Sequence, residues 1–297
     1  MPGWVELAVE VHPEAVDAIA EVFRAHGTGG VAIDQPLEPD SEGVDRVDGR
    51  HHPTVKAYLP VTADEPEREA LIEQALWHLQ AFDLSPIGPM RRRELAEEDW
   101  ANGWKEHFHC LQIGRVVIKP SWREWQEQAG DIVVELDPGM AFGTGLHPTT
   151  RLTLEALQEQ VRAGMNVLDL GTGSAILAIA AAKLGAKVQA LDISDVAVDV
   201  ARSNVEANAV ETVEVRLGSI EQAAGRFDLI LANIIADVLI ELAPRLMDKL
   251  HPGGTLLASG IIDSRVDDVR RAFSEAGLRV PQQRREGDWW LVVATRA

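Results

Sequence analysis

The stretch LDLGTGSAILAIAAAKLG, residues 168 to 185, constrains the fold more than any other part of the chain. An apolar strand runs into two glycines one residue apart, and a helical pattern follows at once, with Gly185 placed to end it. The alternation continues along the chain. Strands are expected in NVLDLG, KVQALDI, VEVRLGS, FDLILANI, TLLASGI, a weaker segment after Gly277 and DWWLVVATR, with helices in most of the gaps. Short runs of Val, Ile and Leu interleaved with helical patterns fit an α/β fold with a mostly parallel, doubly wound sheet.

A glycine turn lets a ligand approach the backbone where side chains would obstruct it, and the helix N-terminus points its free N–H groups there. The next strand ends at Asp192, 21 residues beyond Gly171, where a carboxylate can accept both hydroxyl protons of a ribose. That geometry suits NAD or S-adenosylmethionine. The dinucleotide fingerprint continues from Gly171 and Gly173 to a third Gly or Ala, but Ile176 stands there, and its branched side chain would hinder close helix packing. The methyltransferase pattern, acidic-x-Gly-x-Gly-x-Gly, is met by Asp169, Gly171 and Gly173 and departs at Ala175. The turn alone leaves both classes open. Asn233, just past the strand FDLILAN, sits where the rim of an open sheet presents ligand-facing residues, or else simply caps the strand end. A Pro252-Gly253-Gly254 turn and a closing antiparallel strand pair near Asp288 to Arg296 complete the sheet.

Ahead of this region lies LDPGMAFGTGLHPTTR, residues 136 to 151. A phosphate loop needs a lysine after its second glycine, and there is none between Lys119 and Lys183. A zinc site fails too, because His147 has no cysteine or second histidine at ligand spacing. His147 followed by Pro148 fits a helix start. Phe142 either covers a ligand or pins the loop to the core.

The first 95 residues read β-α-β-β-α-β, the order of a ferredoxin-like domain: WVELAVEV, a helix over 13–26, GGVAIDQP, TVKAYLPV, a helix from about Pro66 to Phe82 and a strand near Ile87 to Leu95. Residues 38 to 53 read as a polar loop. Residues 96 to 128 read as a connecting helix and the lead-in strand GRVVIKP, with Trp100, Trp104, Trp122 and Trp125 as packing anchors between domains. A formal charge of -19 repels nucleic acid phosphate, and Arg91, Arg92 and Arg93 read as a solvated strand edge or linker face rather than a nucleic-acid patch. One cysteine, Cys110, excludes an internal disulfide, no segment approaches a membrane span, and a cytoplasmic protein is expected. Nothing demands a partner subunit, so a monomer is expected.

The string Ala-Phe-Gly-Thr-Gly-x-His-Pro-Thr-Thr is the most specific element. With EDWANGWKEHFHCLQIGRVVIKPSWRE before it and LDLGTGSAILAIAAAKLGAKVQALDI after it, it resembles the ribosomal protein L-11 methyltransferase family. The likeness spans about residues 96 to 296, and the amino-terminal segment agrees in pattern rather than motif. The resemblance implies a seven-stranded Rossmann-like methyltransferase domain of strand order 3-2-1-4-5-7-6 over 129–297, the connector over 96–128, and a smaller ferredoxin-like substrate-recognition domain over 1–95. It implies S-adenosyl-L-methionine as cofactor and ribosomal protein L-11 as the substrate, methylated on lysine side chains and the terminal amine. Thr150, Gly171, Asp192 and Asn233 occupy the family's cofactor-binding positions, with Phe142, Thr144 and Gly173 as possible further contacts. Asn233 is also expected to position the amine. Ala175 departs from the family's usual glycine and Cys110 from a common proline. Methylation of another protein amine or a small molecule, and a non-catalytic cofactor-binding module, stand as alternatives.

Overall fold

The computed structural model describes residues 4–12, 15–26, 31–34, 37–39, 45–47, 52–62, 65–79, 88–95, 110–137 and 147–297. Trp100, Trp104, Phe142 and Thr144 lie outside the described residues. The chain divides into two compact units, and the second begins at Cys110, inside the stretch that reads from sequence as a connector. Among the described residues no helix is long and apolar enough to cross a membrane.

The first unit runs β1 (Trp4–Glu10), α1 (Val16–His26), β2 (Val31–Asp34), β3 (Leu37–Pro39), β4 (Asp45–Val47), β5 (Thr54–Pro60), α2 (Glu65–Leu79) and β6 (Arg91–Leu95). Its four-stranded sheet has the order β2-β5-β1-β6 with every neighbour antiparallel. Leu7, Ile19, Phe23, Leu59 and Ile72 are fully buried in its core, each burial worth about 1.5–3 kcal/mol. The expected polar loop over 38–53 contains a short ladder instead, with Leu37 opposite Val47. Three-residue strands are too short to show an alternating pattern in sequence. The arginine run lies on the edge strand β6, where Arg92 pairs with Glu65, Glu69 and Glu94 and Arg93 with Glu6, so carboxylates offset two of its three charges.

The second unit opens with β7 (Leu111–Ile113), β8 (Val116–Lys119) and β9 (Ile132–Glu135), a three-stranded sheet in which β8 and β9 are parallel. Trp125 donates to Asp131 Oδ2 at 2.8 Å within the β8–β9 connection and so anchors its own loop. Two buried or half-buried amides tie this sheet to the rest. Gln158 accepts from the Arg115 N–H at 2.7 Å and donates to the Ile113 carbonyl at 3.0 Å. Asn208 accepts from the Glu135 N–H at 2.8 Å and donates to the Glu135 carbonyl at 2.7 Å, and Lys183 Nζ donates to the Val133 carbonyl at 2.6 Å.

There follow α3 (Pro148–Gln160), β10 (Asn166–Leu170), α4 (Ile176–Lys183), β11 (Lys187–Asp192), α5 (Asp195–Ala207), β12 (Val213–Leu217), β13 (Phe227–Asn233), α6 (Ala236–Lys249), β14 (Leu250–Ile262), α7 (Val266–Glu275), β15 (Leu278–Glu286) and β16 (Trp289–Arg296). The seven strands from β10 onward form one central mixed sheet of order β12-β11-β10-β13-β14-β16-β15, in which only β16 runs antiparallel to its neighbours. Helix α4 is apolar on every side because it is buried between the sheet and α3, and Gly185 at φ +96° ends it with the Ala186 N–H on the Ala181 carbonyl. The Pro252-Gly253-Gly254 segment is a bulge within β14: Phe227 faces Leu250, but Leu229 already faces Thr255. A second bulge lies between Ala258 and Ile261, which face Val292 and Trp290. Every parallel strand ends on the same rim, where ligands of such sheets bind.

Candidate active site

Between β10 and α4 the chain must reverse in five residues, and it does so through three positive φ values: Gly171 at +71°, Gly173 at +54° and Ala175 at +64°. Gly171 and Thr172 both donate to the Leu191 carbonyl, at 2.8 and 3.0 Å, which fixes the turn against β11. A Cβ on Gly171 would drive into Ile234 Cγ2, so this glycine is required by its conformation and by its neighbour. Ala175 is fully buried and tolerates the left-handed region at a cost of about 1–2 kcal/mol. The departure seen in sequence is thus a backbone matter as much as one of space.

Asp192 ends β11 facing this turn. One carboxylate oxygen accepts from the Gly173 N–H at 2.9 Å and the other from the Ser194 N–H at 3.0 Å. A carboxylate has about four lone-pair sites, so two remain for the paired hydroxyls of a ribose. Ile193, next in sequence, is 80% exposed and offers an apolar face beside that carboxylate. Beneath the turn, Asp169 is fully buried; its Oδ2 accepts from the Thr172 hydroxyl at 2.6 Å, while Oδ1 has no hydrogen-bond partner among the described residues. Burial pushes its carboxyl up to about 7, against the Thr172 hydrogen bond. Asn204 on α5 donates to the Ser174 carbonyl at 2.9 Å and braces the turn from outside.

The other half of the rim is built by α3 and β13. His147 caps α3, its Nδ1 accepting from the Thr149 N–H at 3.3 Å, with Pro148 in the first turn, and its ring meets Trp289 edge-on at 4.7 Å. That start places Thr150, itself buried, so that its hydroxyl accepts from Asn233 Nδ2 at 3.4 Å. Among the described residues no hydrogen bond engages the Asn233 side-chain oxygen. The structure therefore joins Thr150 to Asn233 and Gly173 to Asp192, and Gly171 against Ile234 links the two pairs. Two residues without a signal in the sequence belong to the same rim: Asn204, whose role depends on a carbonyl 30 positions away, and Gly260, at φ +82°, whose Cβ would overlap the Ile234 peptide.

A glycine turn facing a strand-end carboxylate, with a polar pair beside it on one sheet rim, defines a nucleoside-cofactor-binding α/β enzyme. The comparisons narrow this class. The sequence profile described as ribosomal protein L11 methyltransferase matches residues 3–297. The ribosomal protein L11 methyltransferase of Chloroflexus aurantiacus is 47% identical over 99% of this chain and 98% of its own, and that of Pelotomaculum thermopropionicum is 41% identical over 98% of each. The crystal structure of the ribosomal protein L11 methylase from Lactobacillus delbrueckii subsp. bulgaricus is 35% identical and superposes with a TM-score of 0.59, covering 64% of this chain and 99% of that one. The chain belongs to the ribosomal protein L11 methyltransferase family.

Proposed function

We propose that this protein transfers methyl groups from S-adenosyl-L-methionine to lysine side-chain and N-terminal amines of ribosomal protein L11. The observation that carries the reading is the joining of the Gly173–Asp192 pair to the Thr150–Asn233 pair on one rim, in a chain that matches the family from end to end. Gly171, Gly173, Asp192, Thr150 and Asn233 are the residues that hold the cofactor in this reading, the carboxylate on the ribose and the turn's backbone against the rest. When bound, S-adenosyl-L-methionine supplies an electrophilic methyl group on a sulfonium.

The attacking amine must be neutral. At pH 7 a lysine of ordinary pKa 10.4 meets that condition at a cost of about 4.6 kcal/mol. A desolvated rim lowers this cost by disfavouring the ammonium, and the proton leaves to water before the site closes, so no side chain is assigned as general base. The free side-chain oxygen of Asn233 accepts one N–H and aims the nitrogen lone pair; alignment of this kind supplies a large share of a rate. The residues that follow, Ile234, Ile235 and Ala236, include no aromatic ring, and Ile235 is exposed, which leaves room for an amine to rotate between successive transfers.

The antiparallel β-α-β-β-α-β sheet of the first unit supports a ferredoxin-like substrate-recognition domain over 1–95, joined by residues 96–128 to a seven-stranded methyltransferase domain over 129–297. The protein acts as a monomer in this reading. The test is transfer of tritiated methyl to purified L11, with mass spectrometry of the labelled sites. Label on lysine and the terminal amine is expected; cofactor binding by calorimetry without label on L11 would leave a non-catalytic binding module, and label only on another acceptor would redirect the substrate. Asn233→Ala should lose turnover by about 100-fold; turnover near wild type with unchanged cofactor affinity removes Asn233 from the reaction.

A further inference from the structure

We infer that Gly260 is a positioning residue for methyl transfer, acting through the backbone of Ile234, which adjoins Asn233. Gly260 lies in the bulge where β14 spends one residue more than β16, between Ala258 opposite Val292 and Ile261 opposite Trp290. Its φ of +82° turns the strand, and a Cβ built there would overlap the Ile234 carbonyl oxygen and lie 2.8 Å from the carbonyl carbon and 3.1 Å from the nitrogen. Those are backbone atoms, which cannot rotate away as a side-chain tip can. On its other side Ile234 presses its Cγ2 on the cofactor turn, where a Cβ at Gly171 would meet it. Its N–H donates to the Ser259 carbonyl at 3.2 Å, and Ser259, fully buried, donates its hydroxyl to the Trp290 carbonyl at 3.0 Å.

Residue 234 is therefore held between two glycines on separate elements, one in the turn under the cofactor and one in a bulge of the neighbouring strand. Asn233 is the residue before it, bonded to the Ile234 nitrogen that lies 3.1 Å from the Gly260 Cβ position, and takes its orientation from that backbone. Any side chain at 260 moves the Ile234 backbone, and Asn233 with it, relative to a turn that stays anchored on Leu191. A bulge beside a reaction centre re-aims a side chain in just this way. The consequence is a split in kinetic effect: Gly260 governs turnover through the aim of Asn233, whereas most of the hold on the cofactor stays with Gly171, Gly173, Asp192 and Thr150, which the shift leaves in place.

This inference rests on the reading of Asn233 given above, and the experiment separates the two. Turnover of L11, cofactor affinity by calorimetry and thermal unfolding are measured for wild type, Gly260→Ala, Asn233→Ala and the double variant. Gly260→Ala should lower kcat by about 10–100-fold, the scale expected for misplacement of a reacting group by up to an ångström, with cofactor Kd changed by less than about threefold. The double variant should be no slower than Asn233→Ala alone, because both act on one contact. Gly260→Asn repeats the test with a residue that tolerates positive φ, leaving the Cβ overlap as the main change. Unchanged kcat in Gly260→Ala overturns the inference, as does a parallel fall in kcat and cofactor affinity, or losses that add. Failure of both Gly260 variants to fold also overturns it, since the position would then serve folding. Wild-type turnover of Asn233→Ala overturns instead the reading of Asn233.

Discussion

Asp169 shows how far a motif's meaning depends on its surroundings. Its carboxyl is pushed up to about 7 by burial, above the ordinary value of 3.8, so the folded state binds more protons than the unfolded chain between those values. Stability is therefore present in full below pH 3.8 and declines as pH rises toward and through 7, by a total on the order of 4 kcal/mol. Asp169→Asn lacks that slope: its melting temperature relative to wild type should rise from pH 5 to pH 8 in the absence of cofactor, and parallel melting curves would refute the assignment. At Ala175, relief of the left-handed backbone is offset by loss of a buried methyl, about 0.8 kcal/mol, and by glycine's greater freedom when unfolded, about 0.5–1 kcal/mol. Ala175→Gly should shift stability by less than about 1 kcal/mol, while Ala175→Val, branched and overpacked, should cost about 3 kcal/mol in urea unfolding. The sequence reveals that residue 175 departs from glycine; its positive φ is visible only once the turn is built. Gly260 is invisible for a related reason, because the atoms that forbid its side chain belong to residue 234.

At the scale of elements, the β/α alternation is legible because the central strands β10 and β13 are nearly continuous apolar runs and because α3 and α5 start at the capping residues His147 and Ser194. The lead-in region is less so. GRVVIKP reads as one strand, yet its partners β7 and β9 are three and four residues long, too short to carry a period. Their attachment depends on Gln158 and Asn208, polar residues that look like ordinary helix surface in sequence. Asn208→Ala would leave the Glu135 N–H and carbonyl unsatisfied, at about 1–3 kcal/mol for each group that stays dry. Urea unfolding should show a lowered midpoint at unchanged slope, whereas a midpoint equal to wild type would mean that water replaces the amide without loss.

For the whole molecule, family membership was legible in one ten-residue string. The string itself, apart from His147 to Thr150, lies outside the described residues, and the described rim brings Asp192, Gly171, Thr150 and Asn233 together. A net charge of -19 attracts the cationic lysine of a substrate over a distance that salt shortens, from about 30 Å at 0.01 M to about 3 Å at 1 M. Raising NaCl from about 0.05 to 0.5 M should lower kcat/KM for L11 several-fold and leave kcat at saturation nearly unchanged; a salt-independent kcat/KM would show that the field does not steer the encounter. The Asn208 and Lys183 contacts bear on association of another kind. Residues 133 and 135 face away from β8, and the carbonyls of both and the N–H of Glu135 are taken by side chains from α4 and the end of α5. An open β9 would be a template on which a second molecule could add a strand. These two side chains plug that template, and they guard the protein in concentrated solution against polymerising through its own lead-in sheet.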